Sequence, residues 1–141
     1  MKRTGSAVWT GNVKEGKGHL STQSGALSNT HYGFNTRFEN GPGTNPEELI
    51  GAAHAGCFSM AFAGKLGEAG FTPESIKTSA EVTLEKVEDG FSITSVHLDL
   101  VAKIPNLDQE KFEELANKAK VGCPVSKLLN ANITLTAKLE S

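Results

Sequence analysis

The sequence predicts an α+β fold. Two observations carry this prediction: a helix-entry signal opens a long apolar segment in the middle of the chain, and hydrophobic residues recur at every second position across much of residues 76–104. The chain has 141 residues, close to the commonest domain size, so we predict one domain over residues 1–141.

The first third of the chain predicts a small antiparallel sheet. Glycines recur there between short extended segments, such as residues 6–10 and 19–22. A loop over residues 39–44 follows, because its Asn-Gly-Pro-Gly run resists both a helix and a central strand. The next element therefore begins after residue 44.

A helix is predicted to begin at this point. Asn45 has the chemistry of an N-cap, Pro46 suits the first helical position, and Glu48 lies where it closes a capping box. These three residues make this the best-defined helix start in the sequence.

Apolar residues between positions 49 and 66 point in nearly every direction around this helix, which predicts that it is buried on most sides. Its longest apolar run, residues 49–63, is shorter than the roughly 20 residues that span a bilayer. We therefore predict a core helix and no membrane association. Gly67 or Gly70 is the expected end of the helix.

The second half of the chain begins with a predicted β-hairpin. Residues 76–85 alternate between apolar and polar side chains, and Asp89-Gly90 offers a two-residue turn. The alternation resumes one position out of phase near Thr94-Ser95, which predicts a β-bulge, and Pro105 ends the strand.

Three further elements complete the predicted fold. Apolar residues between positions 112 and 119 form one helical face, and this helix is expected to end at Gly122. A short helix over residues 124–129 and a final strand over residues 133–139 follow.

The charge balance excludes several classes of partner. A net charge of −2 gives no broad positive field, so we predict neither nucleic-acid binding nor attachment to an anionic membrane. The N-terminus is basic, but no apolar stretch of signal-peptide length follows it. A cytoplasmic protein is expected, in which the two cysteines are not a permanent structural disulfide.

Cys57 lies inside the predicted core helix. A free cysteine in that setting often acts only as a small hydrophobic residue. Apolar surroundings also raise the pKa of a thiol, so a reactive Cys57 requires a nearby cation. The residue alone leaves both interpretations open.

Cys123 lies between Gly122 and Pro124, where it is the expected N-cap of the short helix. A helix N-terminus stabilises a thiolate, but a cysteine that only occupies a tight turn between two helices fits the same position equally well. The two cysteines form no Cys-x-x-Cys pair, and with the four histidines they show no metal-ligand spacing, so no metal site is predicted.

Arg37 is one of two arginines and precedes the glycine-rich loop. By itself it reads as a solvated charge at a strand end. Glu47 by itself reads as a carboxylate that complements the helix macrodipole.

Three segments form a specific combination: residues 32–38 (YGFNTRF), residues 43–60 (GTNPEELIGAAHAGCFSM) and residues 119–126 (AKVGCPVS). Together they resemble the osmotically inducible protein C (OsmC) branch of the OsmC/Ohr family of organic hydroperoxide reductases. The resemblance spans essentially the whole chain. Gly56 departs from the alanine more often expected there, and we attach no functional weight to it.

The resemblance implies a thiol-dependent peroxidase with Cys57 as the peroxidatic cysteine, Cys123 as the resolving cysteine, and an activating Arg37 held by Glu47. It also implies an intertwined homodimer with antiparallel sheets packed around buried central helices. No bound cofactor is implied. The expected partners are an organic hydroperoxide and an external dithiol reductant, such as a lipoyl group on another protein.

Helix geometry adds a condition on this implied site. Ten residues separate Glu47 from Cys57, a rise of about 15 Å along a straight helix. Either the helix bends near Gly51, or Arg37 and Glu47 are supplied by the opposite subunit, which is the hypothesis we favour. Apolar residues around the site favour organic peroxides over hydrogen peroxide, although most of them are expected in the core: Phe34, Phe58, Met60 and Phe62.

Two other functions stay open at the sequence level. A cysteine hydrolase would use His54 or another histidine as base, and it requires thiol and imidazole about 3 Å apart. His54 is equally expected to be a core histidine with its hydrogen bonds satisfied. A non-catalytic ligand-binding stress protein would contain inert thiols.

Overall fold

The computed structural model describes residues 1–140 and confirms the α+β class. Its elements are β1 (Gly5–Thr10), β2 (Lys17–Thr22), β3 (Thr30–Tyr32), α1 (Phe34–Phe38), α2 (Pro46–Glu68), β4 (Ser75–Val87), β5 (Gly90–Lys103), α3 (Gln109–Gly122), α4 (Pro124–Leu128) and β6 (Asn132–Glu140). The chain forms two compact units, residues 1–49 and the residues from Ile50 onward. The single domain over residues 1–141 stays a prediction.

The first unit contains the predicted small antiparallel sheet, with strand order β1-β2-β3. Trp9 and Tyr32 pack across it with ring centroids 5.6 Å apart. Gly18 lies beneath both rings, where a Cβ atom would collide with them. Every residue of β1 is exposed, and each buried hydrophobic residue within the described range lies at Phe58 or later. The first unit therefore has no apolar core of its own.

The second unit contains a sheet of order β4-β5-β6. The β4-β5 hairpin is antiparallel, and its register shifts between Thr83 and Leu84, which confirms the predicted bulge near Thr94. The pairing of β6 with β5 is parallel, so the expectation of purely antiparallel sheets is wrong for this pair. The crossover through α3 and α4 brings β6 back in the direction of β5.

The core of the second unit lies among α2, β5 and α3. Phe62 and Phe112 meet edge to face, with ring centroids 5.8 Å apart. Burial of these apolar side chains is the main stabilising contribution. The residues that share this core are Phe58, Phe62 and Leu66 of α2, Val96, Leu98, Leu100 and Ala102 of β5, and Phe112, Leu115, Ala116 and Ala119 of α3.

Helix α2 buries only one side in the single chain. The buried residues lie about one turn apart: Gly51, His54, Phe58, Phe62 and Leu66. The opposite side is exposed and carries small residues and one methionine: Ala52, Ala53, Gly56, Met60 and Gly64. Since Met60 is 79% exposed, the prediction that α2 is buried on most sides is wrong for one chain alone.

By length and composition alone, α2 also meets the criteria for a membrane-spanning helix. It has 23 residues, and only 28% of its most apolar stretch is buried. Residues 49–63, predicted to be too short to span a bilayer, thus lie within a longer helix. Core helices of soluble proteins meet the same criteria, so this observation is weak evidence for a membrane span.

The ends of α2 follow the predicted signals. The Glu48 N–H donates to Asn45 Oδ1 at 2.8 Å, which confirms the N-cap. The Glu48 carboxylate accepts from the Thr44 hydroxyl at 2.7 Å, so this contact takes the place of the capping box. At the other end, Gly70 adopts a φ of +87° and the Phe71 N–H donates to the Leu66 carbonyl, a Schellman-type termination.

Candidate active site

The structure brings the two cysteines together from different helices. Cys57 is half-buried on α2, and Cys123 is fully buried at the junction of α3 and α4. Both are thiols, and the Cys123 side chain lies within hydrogen-bonding reach of Cys57. Two thiols this near to each other inside one unit are candidates for a disulfide.

The surroundings of Cys57 work against its ionisation. Burial raises the pKa of the Cys57 thiol, and the hydrogen bond and charge of Cys123 raise it further. A hydrogen bond from the Val125 backbone N–H acts in the opposite direction and lowers the pKa of Cys57. No cationic side chain of residues 50–140 is among these contributions, so the cation that a reactive Cys57 requires has to come from outside this unit.

The Val125 contact is a feature that the sequence analysis missed. Cys123 is the N-cap of α4, as predicted, but its side chain makes no cap hydrogen bond. Pro124 occupies the first position of the helix and has no N–H to donate. The first free N–H of α4 therefore belongs to Val125, and it is directed at Cys57 rather than at Cys123.

Arg37 and Glu47 form the ion pair that the resemblance implies. Arg37 Nε lies 2.6 Å from Glu47 Oε1, and the Glu47 side chain is only 11% exposed. Arg37 is at the end of helix α1 rather than at a strand end. Its guanidinium makes no other hydrogen bond within residues 1–49, and Glu47 Oε2 has no partner. Glu47 thus holds the Arg37 side chain in one orientation, and the terminal nitrogens of Arg37 are free for another ligand.

Aromatic side chains surround Arg37. Its guanidinium carbon lies 5.5 Å from the centre of the Phe38 ring. A small cavity of about 80 Å³ borders the arginine and is lined mainly by Trp9, Tyr32, Phe34 and Phe38. A positive charge with an apolar border suits a ligand that has one polar end and one hydrocarbon end.

His54 faces Ser126 instead of acting as a base for Cys57. Its Nε2 atom lies 2.7 Å from Ser126 Oγ, and burial lowers the pKa of the imidazole. The imidazole makes no contribution to the pKa of Cys57. The contact that a cysteine hydrolase requires is therefore not formed by His54.

No group of three or more histidine, cysteine, aspartate or glutamate side chains within residues 1–140 is arranged to hold a metal ion. The candidate site consists of the two thiols and the residues that contact them.

The family model for OsmC-like protein matches residues 39–138, a stretch that includes both cysteines and Glu47. The chain belongs to the OsmC-like protein family. Peroxiredoxin OsmC of Escherichia coli (strain K12) is 56% identical over 141 residues, which cover 100% of this chain and 99% of that protein. This identity confirms the resemblance to the OsmC branch.

The Ohr branch of the family is also similar. The organic hydroperoxide resistance protein OhrB of Bacillus subtilis (strain 168) is 34% identical over 125 residues, covering 87% of this chain and 89% of OhrB. The crystal structure of B. subtilis OhrB matches with a TM-score of 0.68 and 28% identity, covering 97% of this chain and 98% of that one. The OsmC-like fold is therefore shared along nearly the whole chain.

Ser126 is the second residue of this OsmC-like site that the sequence analysis missed. One signal was available in the spacing, since His54 lies three residues before Cys57 and Ser126 lies three residues after Cys123. Residues three apart in a helix share a face, so a contact between the cysteines favours a contact between His54 and Ser126.

Proposed function

We propose that this protein is a thiol-dependent peroxidase that reduces organic hydroperoxides to alcohols, using Cys57 and Cys123 as a redox pair. One observation carries the proposal: the two thiols lie within hydrogen-bonding reach although they come from different helices. Membership in a family that includes a peroxiredoxin and organic hydroperoxide resistance proteins supports it.

The reaction begins at Cys57. Its thiolate attacks one peroxide oxygen, the O–O bond breaks, and the other oxygen leaves with a proton as the alcohol. Cys57 is then a sulfenic acid. The Cys123 sulfur attacks the Cys57 sulfur, an S–S bond forms, and the oxygen leaves as water. This second step protects Cys57 from irreversible over-oxidation.

The disulfide is reset by an external dithiol, such as a lipoyl group on a partner protein. Thiol exchange transfers two electrons to the cysteine pair and oxidises the reductant. All of this chemistry takes place at sulfur, so the proposal includes no bound cofactor or metal.

Ionisation of Cys57 depends on Arg37 and Glu47 in this proposal. Because the residues around Cys57 in its own unit raise its pKa, a guanidinium has to approach the sulfur. We place there the Arg37 of a second copy of the chain, held in orientation by its own Glu47. The free terminal nitrogens of the Arg37–Glu47 pair support this role.

The second copy belongs to a homodimer built on the exposed side of α2. That side carries Ala52, Gly56 and Met60, whose small or flexible side chains allow another helix to approach closely. The absence of an apolar core in residues 1–49 also supports a homodimer, because a unit without its own core gains stability by packing against another surface. A covered α2 is a core helix of a soluble, cytoplasmic dimer that binds neither membrane nor nucleic acid.

The aromatic cavity beside Arg37 suits the hydrocarbon part of an organic hydroperoxide. Phe34, expected to favour organic substrates, lines this cavity. Phe58 and Phe62 are fully buried core residues that make no surface for a substrate. Substrate preference is therefore assigned to Phe34 and the neighbouring aromatic residues.

The experiment compares turnover of cumene hydroperoxide and hydrogen peroxide with the same dithiol reductant. We expect higher kcat/KM for cumene hydroperoxide, because only this substrate fills the apolar cavity. Equal or faster use of hydrogen peroxide contradicts the organic preference. No peroxide use with either substrate contradicts the enzyme assignment and favours a binding protein with inert thiols.

A further inference from the structure

His54 is a fully buried polar side chain that the proposed thiol chemistry does not use. Its Nε2 atom makes a 2.7 Å hydrogen bond with Ser126 Oγ, while its Nδ1 atom has no partner within residues 1–140. An unsatisfied buried nitrogen is unfavourable, because it loses its hydrogen bond to water without gaining another. An apolar side chain would avoid that penalty, so the one hydrogen bond that His54 does make is the feature to explain.

The His54–Ser126 bond runs beside the cysteine pair. His54 is one helical turn before Cys57 on α2, and Ser126 is one turn after Cys123 in α4. The same two segments are therefore joined twice, once through sulfur and once through the imidazole and the hydroxyl.

Helix α4 is a short element with few anchors. It has five residues, none of them fully buried, and no side-chain cap at its start. Its N-cap Cys123 is buried in the core, and Val125 packs against that core while remaining partly exposed. A helix of this length is not stable by itself. The Val125 N–H also bonds to Cys57, but that bond depends on the chemical state of the sulfur. The His54–Ser126 bond, in contrast, involves neither sulfur.

We propose that His54 is a positioning residue for disulfide formation: through Ser126 it holds α4 so that Cys123 stays beside the oxidised Cys57. This inference rests on the proposed peroxidase function. In the step concerned, the Cys123 sulfur attacks the Cys57 sulfur and the S–O bond breaks. The oxygen leaves with the thiol proton as water, so the two cysteines exchange the electrons between them and no other reactant is needed.

The test uses single-turnover oxidation of the full-length protein with cumene hydroperoxide. Quenching at successive times and trapping sulfenic acid separates the rate at which Cys57 is oxidised from the rate at which the disulfide forms. We expect Ser126→Ala and His54→Leu to slow disulfide formation about three- to tenfold relative to Cys57 oxidation, the effect of losing one neutral hydrogen bond. The share of Cys57 over-oxidised to sulfinic acid rises accordingly.

Two further variants separate positioning from general loosening. His54→Gln retains a side-chain N–H near the place of Nε2 and is expected to restore most of the rate. Ser59→Ala removes an equally short bond, 2.7 Å to the Thr78 hydroxyl, which joins the same helix to β4 instead of α4. Disulfide formation in Ser59→Ala is expected to match the wild type.

Wild-type rates of disulfide formation in Ser126→Ala overturn the inference, and so does equal slowing in Ser59→Ala. In either case the proposed function stands, because the disulfide still forms. If the wild-type protein forms no Cys57–Cys123 disulfide with the hydroperoxide, the proposed function itself fails.

Discussion

At the level of single residues, the Cys57 thiol depends on groups that do not belong to its own helix. Burial and the neighbouring Cys123 both raise its pKa, and the Val125 N–H alone opposes them within its unit. A thiol in this position is mostly protonated near neutral pH, which makes it a poor nucleophile. The proposed approach of Arg37 reverses this balance, because a guanidinium keeps its charge at every relevant pH.

Replacing Arg37 tests whether its guanidinium lowers the pKa of Cys57. In Arg37→Ala, we expect the pKa of Cys57 to rise by about one unit or more, because a nearby opposite charge stabilises the thiolate. The thiolate fraction near pH 7 and the rate of reaction with cumene hydroperoxide then fall about tenfold or more. Thiolate absorbance near 240 nm, recorded against pH in a Cys123→Ser background, measures the shift.

Arg3→Ala is the matched control, because Arg3 is the only other arginine of the chain. Its titration curve is expected to match that of the unchanged protein. An unchanged pKa in Arg37→Ala, or the same shift in both variants, argues against activation by Arg37.

At the level of elements, the sequence predicted most of the helices and strands because their boundaries are set by local chemistry. The N-cap Asn45, the turn at Gly90 and the end of α2 before Gly70 each depend on residues close in the chain. The bulge near Thr94 was visible as a change of phase in the apolar pattern.

Features that depend on distant residues were not predictable in this way. The parallel pairing of β6 with β5 depends on how the chain crosses over, and the exposed side of α2 depends on what covers the helix. Within the candidate site, the residue types came from the sequence and the resemblance. Two contacts could not be predicted, because each joins residues that are far apart in the sequence: the hydrogen bond from the Val125 N–H to Cys57, and the bond between His54 and Ser126.

The cap of helix α3 allows a direct test of an element that leads to Cys123. Asp108 Oδ1 accepts from the Lys111 N–H at 2.7 Å. We expect Asp108→Ala to lower the free energy of unfolding by about 1 kcal/mol, because the N-cap hydrogen bond is lost. Urea unfolding measures the change, and Asp108→Asn, which keeps the acceptor, should remain close to the wild type. Equal stability of the alanine and asparagine variants would show that the cap contributes nothing.

At the level of the whole molecule, the proposed site is complete only in a dimer. In the proposed dimer, the second chain covers the exposed side of α2 and packs against residues 1–49, which have no apolar core of their own. If one copy supplies Cys57 and the other supplies Arg37, each dimer contains two sites that share residues across its symmetry axis.

Mixing an inactive variant with an impaired one tests the shared site. Cys57→Ser lacks the nucleophile and Arg37→Ala lacks the cation, but a mixed dimer has one site that contains both. After exchange of subunits, we expect about a quarter of the wild-type rate per chain, because half of the dimers are mixed and each has one of two sites complete. The rate of the mixture with cumene hydroperoxide is compared with that of each variant alone. Activity no higher than that of Arg37→Ala alone would place Arg37 and Cys57 in the same subunit.

Mass spectrometry of the protein after one equivalent of cumene hydroperoxide shows whether Cys57 and Cys123 act as a redox pair. We predict a Cys57–Cys123 crosslink in the wild-type protein and no crosslink in Cys57→Ser. In Cys123→Ser, Cys57 should instead carry sulfenic or sulfinic acid. Two thiols that remain reduced in the wild-type protein, or oxidation that begins at Cys123 in Cys57→Ser, would exclude Cys57 and Cys123 as a peroxidatic and resolving pair.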